Sequence, residues 1–228
     1  MTLKDNIQRL QSIDALRGLV ILIMLLDHVR ETFYLHKQVP DPMDVAVTEP
    51  ALFGSRVLAH LCAPIFVFLT GISAFLFYSK TQSVQQTRAF LLKRGLFLIV
   101  LELTLVNFAW TATFPPDVIY LQVIWAIGIS MVVLAACISL PLPVIILSAF
   151  AIIFGHNLLD SVHFTEGSFI QTLWLILHER GWIEIAGVKL RTSYPVLPWI
   201  GVILLGYALG HLFSQKYTTQ QRNNYLFG

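Results

Sequence analysis

The chain has 228 residues, of which 56% are hydrophobic and only 12% are charged. Soluble domains carry about 25% charged residues, so this composition indicates a polytopic membrane protein. The formal net charge of +2 excludes the strongly basic surface that nucleic-acid partners require.

Six apolar windows are long enough to cross a bilayer, which takes roughly 17–25 residues of helix. They fall at residues 15–35, 57–79, 95–113, 119–140, 142–159 and 194–214. The fourth and fifth are separated by the Pro141-Leu142-Pro143 segment, which predicts a tight turn between antiparallel helices. The sequence therefore predicts an all-α, polytopic integral membrane bundle of about six transmembrane helices, built as a single domain over residues 1–228.

The first window carries ionisable side chains, which lipid tolerates poorly. Arg17 and His28 are eleven residues apart, so on a helix they lie on nearly the same face, about 16 Å apart along the axis. A histidine can deprotonate a hydroxyl or amine near neutral pH, and an arginine can hold a phosphate or a thioester oxygen. Asp27, or Glu31 at i+3 from His28, can orient the imidazole. In the alternative interpretation Arg17 reaches the headgroups and His28 is a satisfied intramembrane polar residue.

The second window contains a proline and two small residues. Pro64 frees a backbone carbonyl and bends the helix, while Gly71 and Ser73 allow a neighbouring helix to approach closely. His60, one turn before Pro64, is a second candidate for a pocket on the outer side.

The third window opens with a basic cluster and contains a glutamate. Arg88, Lys93 and Arg94 can bind the phosphates of a nucleotide-like donor, although such clusters also fix topology by contacting anionic lipid. Glu102 lies about two turns inside the window. It needs either a cationic partner such as Arg17 or a protonated state.

The outer loops, residues 36–56 and 160–193, contain further candidate residues. Residues 169–177 are apolar but too short to span, which favours an interfacial or re-entrant helix. Most of the seven histidines fall on this side: His36, His60, His156, His163 and His178. Cys62 and Cys137 sit in apolar runs and are expected to be small buried hydrophobes, so no metal site is predicted.

The distribution of Lys and Arg predicts the orientation. Residues 80–94 hold four basic residues and no acidic one, which places this segment and the N-terminus in the cytoplasm. No cleavable signal peptide is predicted, because the first apolar run is long and lacks an Ala-x-Ala exit.

Three segments resemble the bacterial relatives of heparan-α-glucosaminide N-acetyltransferase, within a wider group of membrane acyltransferases that includes the acyltransferase-3 proteins. They are Ser12-Ile-Asp-Ala-Leu-Arg-Gly18, residues 64–73 and residues 194–201. In acyltransferase-3 proteins an Arg followed eleven residues later by a His marks the first catalytic helix, and Arg17 and His28 match that spacing.

This resemblance implies acyl transfer from cytoplasmic acyl-CoA, with acetyl-CoA as the expected co-substrate, to a glycan or amino-sugar acceptor on the far side of a bacterial inner membrane. No tightly bound cofactor is expected. His28, Arg17 and Asp27 would be catalytic, and Arg88, Lys93 and Arg94 would hold the CoA phosphates. His36, His60 and Glu102 would line the substrate side, with His36 a competing candidate for the base.

Several alternatives stay open on the sequence alone. A proton-coupled transporter would use Asp27, His28 and Glu102 as a relay, and a non-catalytic membrane subunit would only pack against partners. N- or O-acylation, homo-oligomerisation and a longer chain beyond Gly228 are also left open.

Overall fold

The computed structural model describes residues 11–33, 43–46, 48–185 and 187–213, together with Gln221 and Asn224. The chain is mostly helical and adds a small three-stranded sheet to the predicted all-α architecture. The helices are α1 Gln11–Phe33, α2 Pro50–His60, α3 Cys62–Thr81, α4 Val84–Leu101, α5 Asn107–Thr111, α6 Val123–Cys137, α7 Leu142–Gly155, α8 Phe169–Leu177 and α9 Leu197–Leu209. The strands are β1 Val118–Leu121, β2 Trp182–Ile185 and β3 Val188–Thr192.

Three short helical segments extend these elements. A π-helical segment, Glu102–Val106, joins α4 to α5, and 3₁₀ turns at His156–Leu159 and Gly210–Phe213 follow α7 and α9. The chain packs as two compact units, Met1–Leu69 and Thr70–Gly228. The predicted single domain therefore stays a prediction.

In the first unit, Pro50 and Pro64 set helix boundaries. Pro50 begins α2 at a position where its fixed φ is favourable and no backbone N–H is needed. Leu61 separates α2 from α3, three residues before Pro64. Pro64 has no N–H to donate to the His60 carbonyl four residues earlier. The His60 carbonyl, which Pro64 was predicted to leave without a helical partner, therefore lies at the break between α2 and α3.

In the second unit, α4 and α6 approach closely through two facing glycines. A Cβ on Gly95 would lie 2.7 Å from the Gly128 carbonyl oxygen, and a Cβ on Gly128 would lie 2.8 Å from the Gly95 oxygen. Gly71 on α3 likewise faces the backbone of α9 at Ile203. The close helix approach predicted for Gly71 is confirmed.

The sheet has the order β1-β3-β2, with β1 parallel and β2 antiparallel to β3. The register of the parallel pair runs from Val118 opposite Lys189 to Leu121 opposite Thr192. The prediction of a continuous helix over residues 119–140 is therefore wrong at its start. The apolar residues of β1 run directly into α6, so hydropathy alone places no boundary between strand and helix.

Two helical stretches within the described residues are long and apolar enough to cross a membrane, Pro50–Thr81 and Leu142–Leu159. Two shorter apolar helices are Val123–Cys137 and Leu197–Phe213. Helix α1 has 23 residues but carries several charged ones. The predicted break at residues 141–143 is confirmed, since α7 begins at Leu142, and so is the helix over 169–177.

Candidate active site

Helix α1 is uninterrupted, so Arg17 and His28 lie on one helix as the spacing predicted. Both side chains belong to a stripe that is less exposed than the rest of the helix. The stripe recurs at helical spacing and consists of Ile13, Arg17, Val20, Met24, Asp27 and His28. The opposite side exposes large apolar side chains suited to lipid: Leu19, Leu22, Leu25 and Leu26. The polar groups therefore lie on the side of α1 that turns away from the exposed apolar face.

Asp27 is the centre of an ion-pair cluster. Its Oδ1 accepts a hydrogen bond from Arg30 at 2.7 Å, and its Oδ2 accepts one from Arg56 on α2 at 2.9 Å. The three side chains are only 13%, 15% and 28% exposed, respectively. Two guanidinium groups, one from each helix, therefore share the Asp27 carboxylate, and we call these three side chains the Asp27 cluster. The role of Asp27 in orienting His28 stays a prediction, and the side chain of Glu31 lies outside the described part of the chain.

His60 bonds to the backbone of Arg56 and not to the side chains of the Asp27 cluster in the contacts described. Its Nδ1 is 2.7 Å from the Arg56 carbonyl oxygen, four residues earlier on α2. Because a carbonyl only accepts, Nδ1 carries the proton, and the neutral ring keeps its lone pair on Nε2. Arg17, nearer the start of α1, pairs with Asp14 at 3.3 Å on an exposed part of the helix. The structure thus brings Asp27 and the Arg56 guanidinium together, whereas the exposed His60 contacts the Arg56 backbone, and His36 lies outside the described residues.

The basic cluster of α4 has two different environments. Arg88 donates to the Ala135 carbonyl at 3.0 Å and to Ser139 Oγ at 2.7 Å, so it caps the C-terminal end of α6. Lys93 and Arg94 are exposed, and the Arg94 guanidinium lies 4.6 Å from the centre of the Phe90 ring. Binding of CoA phosphates by these residues stays a prediction, for which the two exposed side chains are the better placed.

Glu102 caps the other end of α6. Its side chain is 1% exposed and begins the π-helical segment. Oε2 accepts from the Trp125 backbone N–H at 3.0 Å, whereas Gln122, the N-cap residue of α6, gives no side-chain cap. A helix N-terminus carries partial positive charge, so a carboxylate is stabilised there. The Trp125 N–H is a partner that the sequence did not indicate, while Oε1 is buried with no partner among the described residues. The cationic partner or protonated state expected for Glu102 stays a prediction.

Asn107, about one helical turn after Glu102, hydrogen-bonds to the backbone of β1 at an edge of the sheet. Its Nδ2 donates to the Val118 carbonyl, and its Oδ1 accepts from the Tyr120 N–H, both at 3.0 Å. The amide thereby bonds to β1 much as a neighbouring strand would. Asn107 is 1% exposed, so this contact is structural.

A second group of polar residues lines a cavity in the second unit. The sequence gave little indication that these residues form a site. His156, Asn157, Asp160, His178 and Arg180 line the cavity. The signal in the sequence was the share of histidines predicted on the outer side. Sequence alone did not show that two of them converge.

Comparison with known proteins identifies the family. The family model described as heparan-alpha-glucosaminide N-acetyltransferase, catalytic, matches residues 9–226. Searches of curated proteins and of solved structures gave no significant match. The matched range covers nearly the whole chain and includes all three segments that carried the resemblance. The chain therefore belongs to the heparan-α-glucosaminide N-acetyltransferase catalytic-domain family, a family of membrane acetyltransferases.

Proposed function

We propose that this chain is an integral membrane acetyltransferase of the bacterial cytoplasmic membrane, with its N-terminus inside and about six spans. It moves an acetyl group from cytoplasmic acetyl-CoA to a sugar amine or hydroxyl on the opposite side. Family membership over residues 9–226 carries the reaction class. The Arg17 and His28 pair on the less exposed stripe of α1 supports the assignment of residues. Family membership also favours an enzyme over a transporter or a non-catalytic subunit.

In the proposed reaction His28 is the general base. It accepts a proton from the acceptor amine or hydroxyl while that nitrogen or oxygen attacks the thioester carbonyl carbon. The new C–N or C–O bond forms, the C–S bond breaks, and CoA leaves as a thiolate that takes up a proton. Arg17 contacts the donor, and the family name makes a glucosaminide the first acceptor to test.

The Asp27 cluster supports this chemistry through its position. Asp27 and Arg30 belong to the same turn of α1 as His28, and Arg56 of α2 bonds to the same carboxylate. Negative charge develops on the thioester oxygen during attack, and guanidinium groups near it would favour that step. Lys93 and Arg94, exposed on α4, are proposed to hold the CoA phosphates.

The test measures acetyl transfer by membranes that contain the full chain, with isotope-labelled acetyl-CoA and glucosamine. We expect His28→Gln to lower turnover about 10²–10⁴-fold, the usual contribution of a general base. The matched control is His163→Gln, which removes a loop histidine whose side chain is 72% exposed. Turnover of His28→Gln equal to that of this control would overturn the role of His28. If His36→Gln abolishes transfer and His28→Gln does not, His36 is the base.

A further inference from the structure

A cavity of about 210 Å³ lies in the second unit, and its lining includes none of the residues assigned to acyl transfer. It forms where the 3₁₀ turn after α7, the segment after α8 and the start of α9 meet. At roughly 30 Å³ per water molecule the space holds about seven waters. Pockets for drug-sized ligands measure about 300–1,000 Å³. This cavity is smaller and has room for one small ring.

The segments around the cavity are fixed by backbone hydrogen bonds. Val196 N–H donates to the Ile176 carbonyl at 2.9 Å, which ties the start of α9 to α8. Gly181 N–H donates to Thr192 Oγ1 at 2.7 Å, and Thr192 is 1% exposed. The segment that carries the cavity residues 178 and 180 is thus bonded on both sides.

His178 is a buried polar side chain of the lining. Its side chain is 3% exposed, and its Nε2 lies 2.9 Å from Asp160 Oδ1. Because a carboxylate accepts, Nε2 is the nitrogen that carries the proton in this contact. Nδ1 of the neutral ring is then an acceptor, and it is buried with no partner among the described residues. A ligand that donates an O–H or N–H would satisfy it.

The other lining groups combine donors and acceptors with an apolar wall. His156 Nδ1 donates to the carbonyls of Ile152 and Ile153, which leaves its Nε2 as an acceptor. Arg180 donates only, and Asn157 does both. The rings of Tyr194 and Trp199, with centres 5.5 Å apart, form the apolar side.

These features favour a neutral, polyhydroxylated ring. The lining holds one guanidinium and one carboxylate, so it has no charge surplus for an anion when the imidazoles are neutral. No three His, Cys, Asp or Glu side chains of the described residues form a metal site. A sugar ring offers hydroxyl donors and acceptors at its edge and an apolar C–H face for Trp199.

We propose that this cavity binds one sugar ring of the acceptor, with His178 Nδ1 accepting a hydrogen bond from a hydroxyl or amino group of the ring. The use of the bound sugar as an acceptor rests on the proposed function. The binding itself can be measured without acyl transfer.

The experiment titrates the purified full chain in detergent with glucosamine, glucose and inorganic phosphate, each followed by calorimetry and tryptophan fluorescence. We expect saturable binding of both sugars and none of phosphate. His178→Gln removes the Nδ1 acceptor and should weaken sugar binding about tenfold, the equivalent of one good hydrogen bond. Asn157→Ala and Arg180→Ala alter exposed residues and should weaken it about threefold to tenfold, so the test survives if the His178 variant does not fold.

His163→Gln, in the same loop region but outside the cavity, is expected to bind like the unchanged chain. Three outcomes overturn the proposal: no saturable sugar binding, phosphate binding in preference to sugars, or sugar binding unaffected by the Asn157 and Arg180 variants. Sugar binding that depends on the cavity, in a chain that transfers no acetyl group, would instead refute the proposed function and leave the site standing.

Discussion

Replacement of Gly95 by alanine should weaken the packing of α4 on α6. The added Cβ would lie 2.7 Å from the Gly128 carbonyl oxygen, whereas ordinary contacts begin at 3.4 Å. The two backbones must therefore separate by about 0.7 Å, and a gap of that size forfeits a quarter to a half of each dispersion contact it opens. Overpacking of this kind costs roughly 1–3 kcal/mol.

The matched control is Gly54→Ala on α2, where an added Cβ meets no atom within 4 Å. Both substitutions gain the same helix propensity, about 0.5–1 kcal/mol, so the difference between them isolates the packing cost. Unfolding of the purified chain in mixed micelles, followed by tryptophan fluorescence, measures both free energies. We expect Gly95→Ala to be about 1–3 kcal/mol less stable than Gly54→Ala.

Gly128→Ala should have a similar cost, since its Cβ would lie 2.8 Å from the Gly95 oxygen. The double variant should lose less than the sum of the two, because one separation of the helices relieves both clashes. Equal stability of Gly95→Ala and Gly54→Ala would refute the reasoning.

Three further predictions concern the buried polar contacts. Glu102→Leu removes the cap of α6 and should lower the free energy of unfolding by about 1–3 kcal/mol, whereas Glu102→Gln keeps an acceptor oxygen and should cost less. Asn107→Leu deprives β1 of two hydrogen bonds and should speed amide hydrogen exchange at Tyr120. Asp27→Asn removes the charge that Arg30 and Arg56 share and should destabilise the chain by about 1–3 kcal/mol, below the cost of breaking a fully buried pair because Arg56 is 28% exposed.

Each of these has a result that contradicts it. Equal stability of Glu102→Leu and Glu102→Gln would show that the oxygen does not cap α6. Unchanged hydrogen exchange at the Tyr120 N–H in Asn107→Leu would show that the Asn107 side chain does not protect β1. If Asp27→Asn is as stable as Asp14→Asn, whose carboxyl is exposed, the Asp27 cluster does not stabilise the first unit.

The sequence was sufficient for features that depend on local pattern. Arg17 and His28 lie on one face of α1 because a spacing of eleven residues is close to a whole number of helical turns of 3.6 residues. Gly71 meets a neighbouring backbone because only a residue without Cβ permits that approach. The helix over residues 169–177 begins at a serine that caps it, since Ser168 accepts from the Gln171 N–H at 3.1 Å.

Features that depend on distant partners were beyond the sequence. β1 pairs with β3, about seventy residues away, and hydropathy merges its apolar residues with those of α6. Asp27 was considered as a partner of its neighbour His28, but Arg56 is 29 residues away and enters through another helix. Glu102 was expected to have a cationic partner or to be protonated, and the partner of its Oε2 is a backbone N–H, which every residue except proline carries.

The parallel pairing of β1 with β3 restricts how the chain can thread a bilayer. Open sheet edges do not occur in lipid-exposed hydrocarbon, so in the proposed membrane arrangement we expect both strands on the same side of the bilayer. The proposed crossings between Leu121 and Val188 would then be even in number. Helix α8, with nine residues, is too short to cross. If Leu142–Leu159, which is long enough, crosses once, α6 would provide the other crossing, although its 15 residues fall short of a usual span.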